Sequence, residues 1–258
     1  MSVFTGELTS KVLGKNVTIR VIFPDSPYDL PQLDTKPKTM YLLHGYTGSS
    51  GDWLRFTQIE EFARKYNFHI VMADAENSMY CDMAYGPDYP RFFTEELPAI
   101  VNSYCRLPKQ TFICGQSMGG YGAIKLGLSH PEKYMAIGAF SAGITIGTLS
   151  DHDPHLHLTS MDKAQMAVFS KDRVHSEKDD VYALAEKTLA TPKQPPIISY
   201  CGNGDFVFEA NNSFSTHLEK IGYPHEYYVT EGAHLWDYWN LKMPEMMGRL
   251  CQFAEEEE

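Results

Sequence analysis

The stretch Thr111-Phe112-Ile113-Cys114-Gly115-Gln116-Ser117-Met118-Gly119 decides the fold of this chain. Its first four residues predict a buried strand, and the residues after it predict an amphipathic helix. Between them lies the G-x-S-x-G pattern of a nucleophile elbow, in which small residues let the strand and the helix approach. The strained turn lifts the serine Oγ above the sheet. A five-residue match with three fixed positions also occurs by chance, but the flanking strand and helix favour Ser117 as a nucleophile.

A nucleophilic serine needs a base, and the base needs an orienting acid. In this architecture the acid and then the histidine follow the serine along the chain. Asp205 lies in a glycine-rich loop after the predicted strand 196–201, and His234 follows the predicted strand 225–229. Since the carboxyl ends of parallel strands meet at one edge of a sheet, we expect the two side chains beside Ser117. The sequence therefore predicts the catalytic residues Ser117, Asp205 and His234.

Other acids and histidines fit these roles less well. His217 and His225 lie on the neighbouring helix and at a strand start, where they are typical surface residues. Asp237 is three residues beyond His234, so the next helix would carry it away from the imidazole. Glu209 lies in the first turn of a helix, where the helix dipole favours a carboxylate without any catalytic role.

An oxyanion hole requires two backbone N–H donors. One is predicted at Met118, directly after the serine, and the second in the loop after an earlier strand. The strand 38–43 is followed by the glycine-containing loop 44–51, where Tyr46 N–H is the candidate donor and His44 is expected to hold the loop. A phosphate-binding loop is the alternative interpretation, but no Gly-Lys-Ser/Thr follows.

Four motifs, spread over nearly the whole chain, resemble the esterase D family of α/β-hydrolases. They are Leu42-Leu43-His44-Gly45-Tyr46-Thr47-Gly48, Gly115-Gln116-Ser117-Met118-Gly119-Gly120, Cys201-Gly202-Asn203-Gly204-Asp205 and Gly232-Ala233-His234-Leu235-Trp236-Asp237-Tyr238-Trp239. The last is the most specific, and the bacterial tributyrin-esterase branch is the most similar. That branch has acetyl esterases, feruloyl esterases and S-formylglutathione hydrolases among its relatives. The resemblance implies the triad Ser117, Asp205 and His234, with oxyanion donors Tyr46 and Met118. Gln116 departs from the family, which often has leucine or histidine there.

The length and composition suit one soluble domain. The chain has 258 residues, of which 43% are hydrophobic and 21% charged, and we expect a single α/β-hydrolase domain over 1–258 with a mostly parallel sheet and helices on both faces. No apolar run approaches the length of a membrane span, and no signal sequence is evident. The five scattered cysteines are typical of reduced thiols, which favours a cytoplasmic location.

The charge of the chain limits the classes of partner that we expect it to bind. The net charge of −11, without a stripe of lysine and arginine, argues against nucleic acid and anionic membranes. We expect a small-molecule ester as the substrate and no cofactor, and a homo-oligomer is compatible with this interpretation.

The stretch 142–195 interrupts the alternation of strands and helices. It is polar, it predicts helices near 163–168 and 181–189 without a strand, and such an insertion commonly covers the site as a lid. Its segment 151–157 contains His152, His155 and His157, which are potential metal ligands. Pro154 breaks the helix that would align them, and a serine triad needs no metal, so we expect a solvated loop and no metal site.

The predicted reaction is hydrolysis of short-acyl or sugar-linked esters, such as acetyl or feruloyl esters, by a serine carboxylesterase. S-formylglutathione hydrolysis is the alternative, and a non-catalytic ligand-binding relative is a more remote one. Tyr80, Asp82 and Tyr85 follow a strand at the catalytic edge, and Trp236 is two residues from His234. We expect these four residues to line the substrate cleft, although packing within the loop would explain the aromatic residues equally well.

Overall fold

The computed structural model describes residues 1–25, 36–144, 160–170 and 176–254. Eight strands in this part of the chain form one sheet in the order β1-β2-β4-β3-β5-β6-β7-β8. The strands are β1 (Ser2–Ser10), β2 (Lys15–Phe23), β3 (Lys38–Leu43), β4 (Phe68–Ala73), β5 (Thr111–Gln116), β6 (Ile137–Phe140), β7 (Ile197–Gly202) and β8 (His225–Thr230). β1 and β2 pair antiparallel with their neighbours, and all other pairings are parallel.

Helices connect the parallel strands. They are α1 (Asp52–Phe56), α2 (Ile59–Tyr66), α3 (Tyr89–Arg91), a π-helical turn (Phe92–Glu96), α4 (Leu97–Cys105), α5 (Met118–Ser129), α6 (Ser160–Phe169), α7 (Val181–Leu189), α8 (Phe208–Ile221) and α9 (Trp236–Cys251), with a 3₁₀ turn at Pro131–Lys133. In the described residues, no helix is both long and apolar enough to cross a membrane.

The core has two layers, one on each face of the sheet. Along β3, Met40 and Leu42 belong to one hydrophobic cluster, whereas Tyr41 and Leu43 belong to the other. This alternation follows from the two-residue period of a strand. Buried side chains of α1, α2 and α9 cover the Met40 face, and those of α4, α5, α7 and α8 cover the opposite face. The expected α/β class with helices on both faces is therefore confirmed.

Two helices differ from the sequence prediction. The sequence predicts one helix over 53–65, but the structure interrupts it: Thr57 is extended at the end of α1, and the N–H of Gln58 donates to Asn240 Oδ1 at 2.9 Å. The apolar spacing of the sequence also predicts one helix over 90–106, but this helix contains the π-helical turn, and its next α-helical segment begins at Leu97 with Pro98 in the first turn. The contact of Gln58 with α9 accompanies the first irregularity, and Pro98, which has no N–H to donate, accompanies the second.

The stretch 142–195 is described in part. Its described residues contain α6 and α7 and no strand, as its sequence predicts. The histidine segment 151–157 lies outside the described residues. Within the part that is described, the carboxyl ends of β3, β5, β6, β7 and β8 meet at one edge of the sheet.

Candidate active site

Ser117 occupies a sharp turn between β5 and α5. Its backbone has φ 54° and ψ −119°, which a non-glycine residue seldom adopts. A Cβ on Gly115 would lie 2.4 Å from the carbonyl oxygen of Gly119, and one on Gly119 would lie 2.5 Å from that of Leu43. The two glycines are therefore required by close backbone contact. The turn leaves the Ser117 side chain at the carboxyl edge of the sheet.

The three predicted catalytic side chains form one hydrogen-bonded chain. Ser117 Oγ lies 2.8 Å from His234 Nε2. His234 Nδ1 lies 2.9 Å and 3.0 Å from the two carboxylate oxygens of Asp205. Since a carboxylate accepts, Nδ1 carries the proton and Nε2 is free to accept the Ser117 hydroxyl proton. This is the geometry of a nucleophile, a base and an orienting acid.

The Asp205 carboxylate is held in its charged form. Its side chain is completely buried, and burial by itself raises the pKa. Hydrogen bonds from His234, from the N–H of Val207 and from Ser141 outweigh this, so the pKa of Asp205 lies below its ordinary value. Ser141, at the end of β6, was not predicted, because nothing in its local sequence distinguishes it.

Two aromatic rings enclose the imidazole. The Phe206 ring centroid lies 4.4 Å from that of His234, and the Trp239 ring meets it edge-on at 5.0 Å. Trp239 Nε1–H also donates to Ser141 Oγ at 3.1 Å, which links the indole to the partner of Asp205. The Trp239 sequence position, three residues after Trp236, is typical of core packing, so its contact with His234 was missed. Phe206 adjoins Asp205 in sequence, and that adjacency was the available signal.

Tyr46, on the loop after β3, lines the same cavity as Ser117. Neither Tyr46 N–H nor Met118 N–H donates to another described group, so both are free to bind an oxyanion. His44 is buried, its Nδ1–H donates to the Gly45 carbonyl at 2.8 Å, and its Nε2 accepts from Ala75 N–H at 2.8 Å. Burial lowers the pKa of His44, which keeps the ring neutral and able to make both contacts. His44 thus holds the loop, as expected.

A cavity of about 350 Å³ contains the serine and the histidine. This is near the lower end of the size range for small-molecule sites, about 300–1,000 Å³. The residues lining it are Tyr46, Thr47, Gly48, Asp52, Arg55, Phe56, Gln116, Ser117, His234, Trp236 and Trp239. Trp236 is among these residues, as expected from its position two residues after His234. Arg55 and Phe56 were missed, since they belong to a segment predicted only as a helix.

Three residues expected in the cleft lie outside this cavity. Tyr80 is completely buried, and its hydroxyl donates to the His44 carbonyl at 3.0 Å. Asp82 is exposed and forms a β-bridge with Asp88, and Tyr85 is 69% exposed. The bridge closes the loop between Asp82 and Asp88; Tyr85 lies within the closed segment and is exposed, whereas Tyr80 precedes it and lies in the core. Proximity to a strand end was insufficient to predict these directions.

A second cavity, of about 480 Å³, adjoins the predicted oxyanion loop 44–51. It shares Thr47 and Gly48 with the first, and Ala164 and Ala167 of α6 form part of its wall. The carbonyls of Ala167 and Val168 accept hydrogen bonds from Tyr85 N–H and Ala84 N–H at 2.9 Å and 2.8 Å. One helix of the stretch 142–195 therefore packs beside the site. No group of three potential metal ligands occurs in the described ranges.

Comparison with known proteins agrees with this architecture. A family model described as "putative esterase" matches residues 10–250. The chain is 32% identical over 251 residues to an acetyl esterase from Caldicellulosiruptor saccharolyticus, covering 93% of this chain and 94% of that protein.

Two solved structures from Staphylococcus aureus superpose on nearly the whole chain. One is the fluorophosphonate-binding serine hydrolase FphF, at 27% identity and a TM-score of 0.82, covering 97% of this chain and 98% of that one. The other is the S-formylglutathione hydrolase FrmB, at 28% identity and a TM-score of 0.81 with the same coverage. With the serine at the elbow and the family match over most of its length, the chain belongs to the putative esterase family, as an esterase D-like α/β-hydrolase and carboxylesterase.

Proposed function

We propose that this carboxylesterase hydrolyses short-acyl esters through an acyl-enzyme on Ser117, with His234 as the base and Asp205 as the orienting acid. The observation that carries the proposal is the continuous contact from Ser117 Oγ to His234 Nε2 at 2.8 Å and from His234 Nδ1 to Asp205 at 2.9 Å. In this order of donors and acceptors, a proton can leave Oγ as it attacks.

In the first half-reaction, Ser117 Oγ bonds to the acyl carbon while His234 Nε2 takes its proton. The carbonyl oxygen becomes an oxyanion, which Tyr46 N–H and Met118 N–H stabilise, each such donor contributing about 3 kcal/mol. Asp205 stabilises the imidazolium that forms. His234 then returns the proton to the leaving alcohol as the carbon–oxygen bond breaks, which leaves the acyl group on Ser117.

In the second half-reaction, water replaces the alcohol. His234 Nε2 removes a proton from the water as its oxygen attacks the acyl carbon, and the same two N–H groups hold the oxyanion. The proton then passes to Ser117 Oγ, which releases the acid and restores the enzyme. Phe206 and Trp239, which pack on the imidazole, keep its ring in place through both steps.

Acetyl esters are the favoured substrates. The relative from Caldicellulosiruptor saccharolyticus is named an acetyl esterase, and the small cavity of about 350 Å³ beside Ser117 suits a short acyl group. S-formylglutathione hydrolysis is the second candidate, because the similar FrmB has that activity in its name. Feruloyl and other sugar-linked esters remain within the proposed class.

A panel of specificity constants tests this assignment. We expect kcat/KM for 4-nitrophenyl acetate or butyrate to exceed that for the octanoate by about tenfold or more, because methylenes that do not fit forfeit about 1–3 kcal/mol. Methyl ferulate, an acetylated xylo-oligosaccharide and S-formylglutathione complete the panel. An S-formylglutathione value orders of magnitude above every oxygen ester would replace the proposal with the second candidate.

We further propose one α/β-hydrolase domain over 1–258, in which the stretch 142–195 acts as a lid. The position of Ala164 and Ala167 beside the oxyanion loop supports this proposal. Shortening 151–157 should change the acyl-chain preference more than the melting temperature, and a chelator should leave kcat unchanged. Activity lost to chelator and restored by zinc would instead assign a metal to His152, His155 and His157.

A cytoplasmic location and a homo-oligomer complete the proposal, and gel filtration tests the latter.

A further inference from the structure

An arginine without an ionic partner lies at the cavity that contains Ser117. Arg55 is exposed, lines this cavity and forms no ion pair within the described ranges. It is the one cationic side chain among the described lining residues. The chain as a whole has a net charge of −11, so a free positive charge beside the reacting atoms is contrary to the general charge of the protein.

This guanidinium lies over an aromatic ring. Its central carbon lies 5.0 Å from the Phe56 ring centroid, and Phe56 is in turn stacked on Trp236 at 5.1 Å with an interplanar angle of 28°. A guanidinium over a ring keeps its N–H donors available at its edges, where they match the two oxygens of a carboxylate. The stack therefore prepares Arg55 for a bidentate contact.

A second unpartnered group faces the same cavity. Gln116 lines the cavity and is only 3% exposed, yet its amide makes no hydrogen bond to a described residue, and its Oε1 is buried without a partner. Leaving a buried amide unsatisfied is costly unless a ligand or water completes it. The unpartnered Oε1 is an acceptor, so it suits a substrate hydroxyl or a water, and only the NH₂ group of Gln116 can donate to a substrate oxygen.

The acidic residue of the lining is already engaged. Asp52 Oδ2 accepts from Ser49 N–H, and Asp52 Oδ1 accepts from Ser49 O–H, both at 3.1 Å. Its carboxylate thus stabilises the turn before α1. Arg55 is then the cationic side chain of the described lining with hydrogen-bonding capacity left for a ligand, beside the polar groups of Tyr46, Thr47, Gln116 and Trp236.

We propose that Arg55 selects esters that carry a carboxylate at a distance from the scissile bond. The inference rests on the proposed function, since it assigns a substrate class to the same site. Arg55 acts in binding and takes no part in proton transfer. The carboxylate belongs either to the acyl group, as in a dicarboxylic acid hemiester, or to the leaving group.

Two pairs of esters test the inference and separate these sources. In the first pair, 4-methylumbelliferyl hemisuccinate is compared with the butyrate, so the acyl groups differ in the terminal carboxylate. In the second, 4-acetoxybenzoate is compared with its methyl ester, so the charge is on the leaving group. The readout is the ratio of kcat/KM for the charged ester to that for its neutral partner.

We expect Arg55→Met to lower this ratio by about tenfold or more in at least one pair, as expected from losing a charge-assisted hydrogen bond. The pair affected identifies the source of the carboxylate. Arg55→Lys keeps the charge but loses the planar fork, so its ratio should fall less. The wild-type ratio should also decrease as ionic strength rises from about 0.01 M to about 1 M, because salt screens exposed charges.

Arg249→Met is the matched control. Arg249 also stacks on an aromatic ring, at 5.3 Å from the Tyr228 centroid, but it lies on α9 outside the cavity and pairs with Glu226. Its replacement changes the net charge equally and should leave the ratios unchanged.

Two results would overturn this inference alone. One is a wild-type enzyme that cleaves the neutral esters but rejects both charged ones. The other is a set of ratios that Arg55→Met leaves unchanged, or shifts no more than Arg249→Met does. A wild type inactive on the neutral esters would instead refute the proposed function.

Discussion

The imidazole of His234 is held by four side chains from three separate parts of the chain. Asp205 and Ser117 bind its two nitrogens, and Phe206 and Trp239 pack against its ring. Hydrogen bonds determine the tautomer, and the rings restrict the rotation that would separate Nε2 from Oγ. A base held in this way needs little reorganisation before proton transfer, which is the physical basis of preorganised catalysis.

Replacing the nucleophile or the base should remove turnover without unfolding the protein. We expect Ser117→Ala and His234→Ala each to reduce kcat by about 10⁴-fold or more, and the double variant to lose little beyond either, because the two residues act as a unit. Labelling by a fluorophosphonate probe should disappear in Ser117→Ala, with circular dichroism as the folding control. Additive losses in the double variant would contradict this joint action of Ser117 and His234.

Asp205 should contribute to turnover by orienting the imidazole of His234. Asp205→Asn should lower kcat by about 10³-fold to 10⁴-fold, since an amide can donate to Nδ1 and so favours the wrong tautomer. Ester hydrolysis at saturating substrate measures this loss. Near-normal turnover in Asp205→Asn would mean that another carboxylate supplies the acid.

At the scale of elements, the elbow brings the backbones of β3, β5 and α5 into close contact. α5 approaches β3 so closely that a Cβ on Gly119 would meet the backbone oxygens of Leu43 and His44 at 2.5 Å and 2.7 Å. His44 begins the loop with the candidate oxyanion donor Tyr46. The distance between helix and strand therefore also determines the distance between the serine and the oxyanion loop.

A methyl group at this contact should separate the two elements. We expect Gly119→Ala to destabilise the protein by about 1–3 kcal/mol, because overpacking against backbone atoms cannot be relieved by a side-chain rotation. kcat should fall as the oxyanion loop shifts. Urea unfolding and ester hydrolysis give the two readouts.

Gly6→Ala provides the control for this substitution, because a Cβ at Gly6 meets nothing within 4 Å. Its effect should be small and, if anything, stabilising, as alanine lowers the entropy of the unfolded chain. Equal losses of stability in the two variants would show that the close approach of α5 to β3 is unimportant.

At the scale of the whole molecule, a buried ion pair connects the nucleophile helix to the chain before α7. Lys125 of α5 is 2% exposed, and its Nζ lies 2.8 Å from Asp179 Oδ1. The Tyr121 hydroxyl donates to the Asp179 carbonyl at 2.6 Å. These contacts hold the segment just before α7 against α5, the helix that follows Ser117.

This ion pair should make stability depend on pH. Burial raises the pKa of Asp179, but the charge and hydrogen bond of Lys125 outweigh it, so the folded-state pKa lies below its ordinary value. A lowered carboxyl pKa stabilises the fold above the unfolded-state value, about 3.9, and the contribution disappears as pH falls through the folded-state pKa.

Urea unfolding of the wild type and Asp179→Asn at a series of pH values measures this contribution. The difference in unfolding free energy should be largest near neutrality and should shrink below about pH 4. Lys125→Met should cost about 3–5 kcal/mol at neutral pH, because it leaves a largely buried carboxylate unpaired. A wild-type advantage over Asp179→Asn that is constant with pH would refute this role of Asp179.

The sequence by itself determined the fold class and the order of the chemistry. The glycines around Ser117 permit the tight strand-to-helix turn, and the strands before Asp205 and His234 end at the same sheet edge, so local patterns were sufficient to identify the three side chains that the structure brings into contact. The family resemblance, read from four motifs, is also confirmed.

Only the tertiary structure decided which residues surround these groups. Tyr80 turns into the core, whereas Arg55 and Phe56, from a segment predicted as one continuous helix, reach the cavity. The direction of a loop side chain depends on which distant elements pack against it, and that packing has no signature in nearby residues. Backbone constraints such as those at Gly119 are local, so the sequence contains them; the walls of a cavity are formed by segments far apart in the chain, so they emerge only when the chain folds.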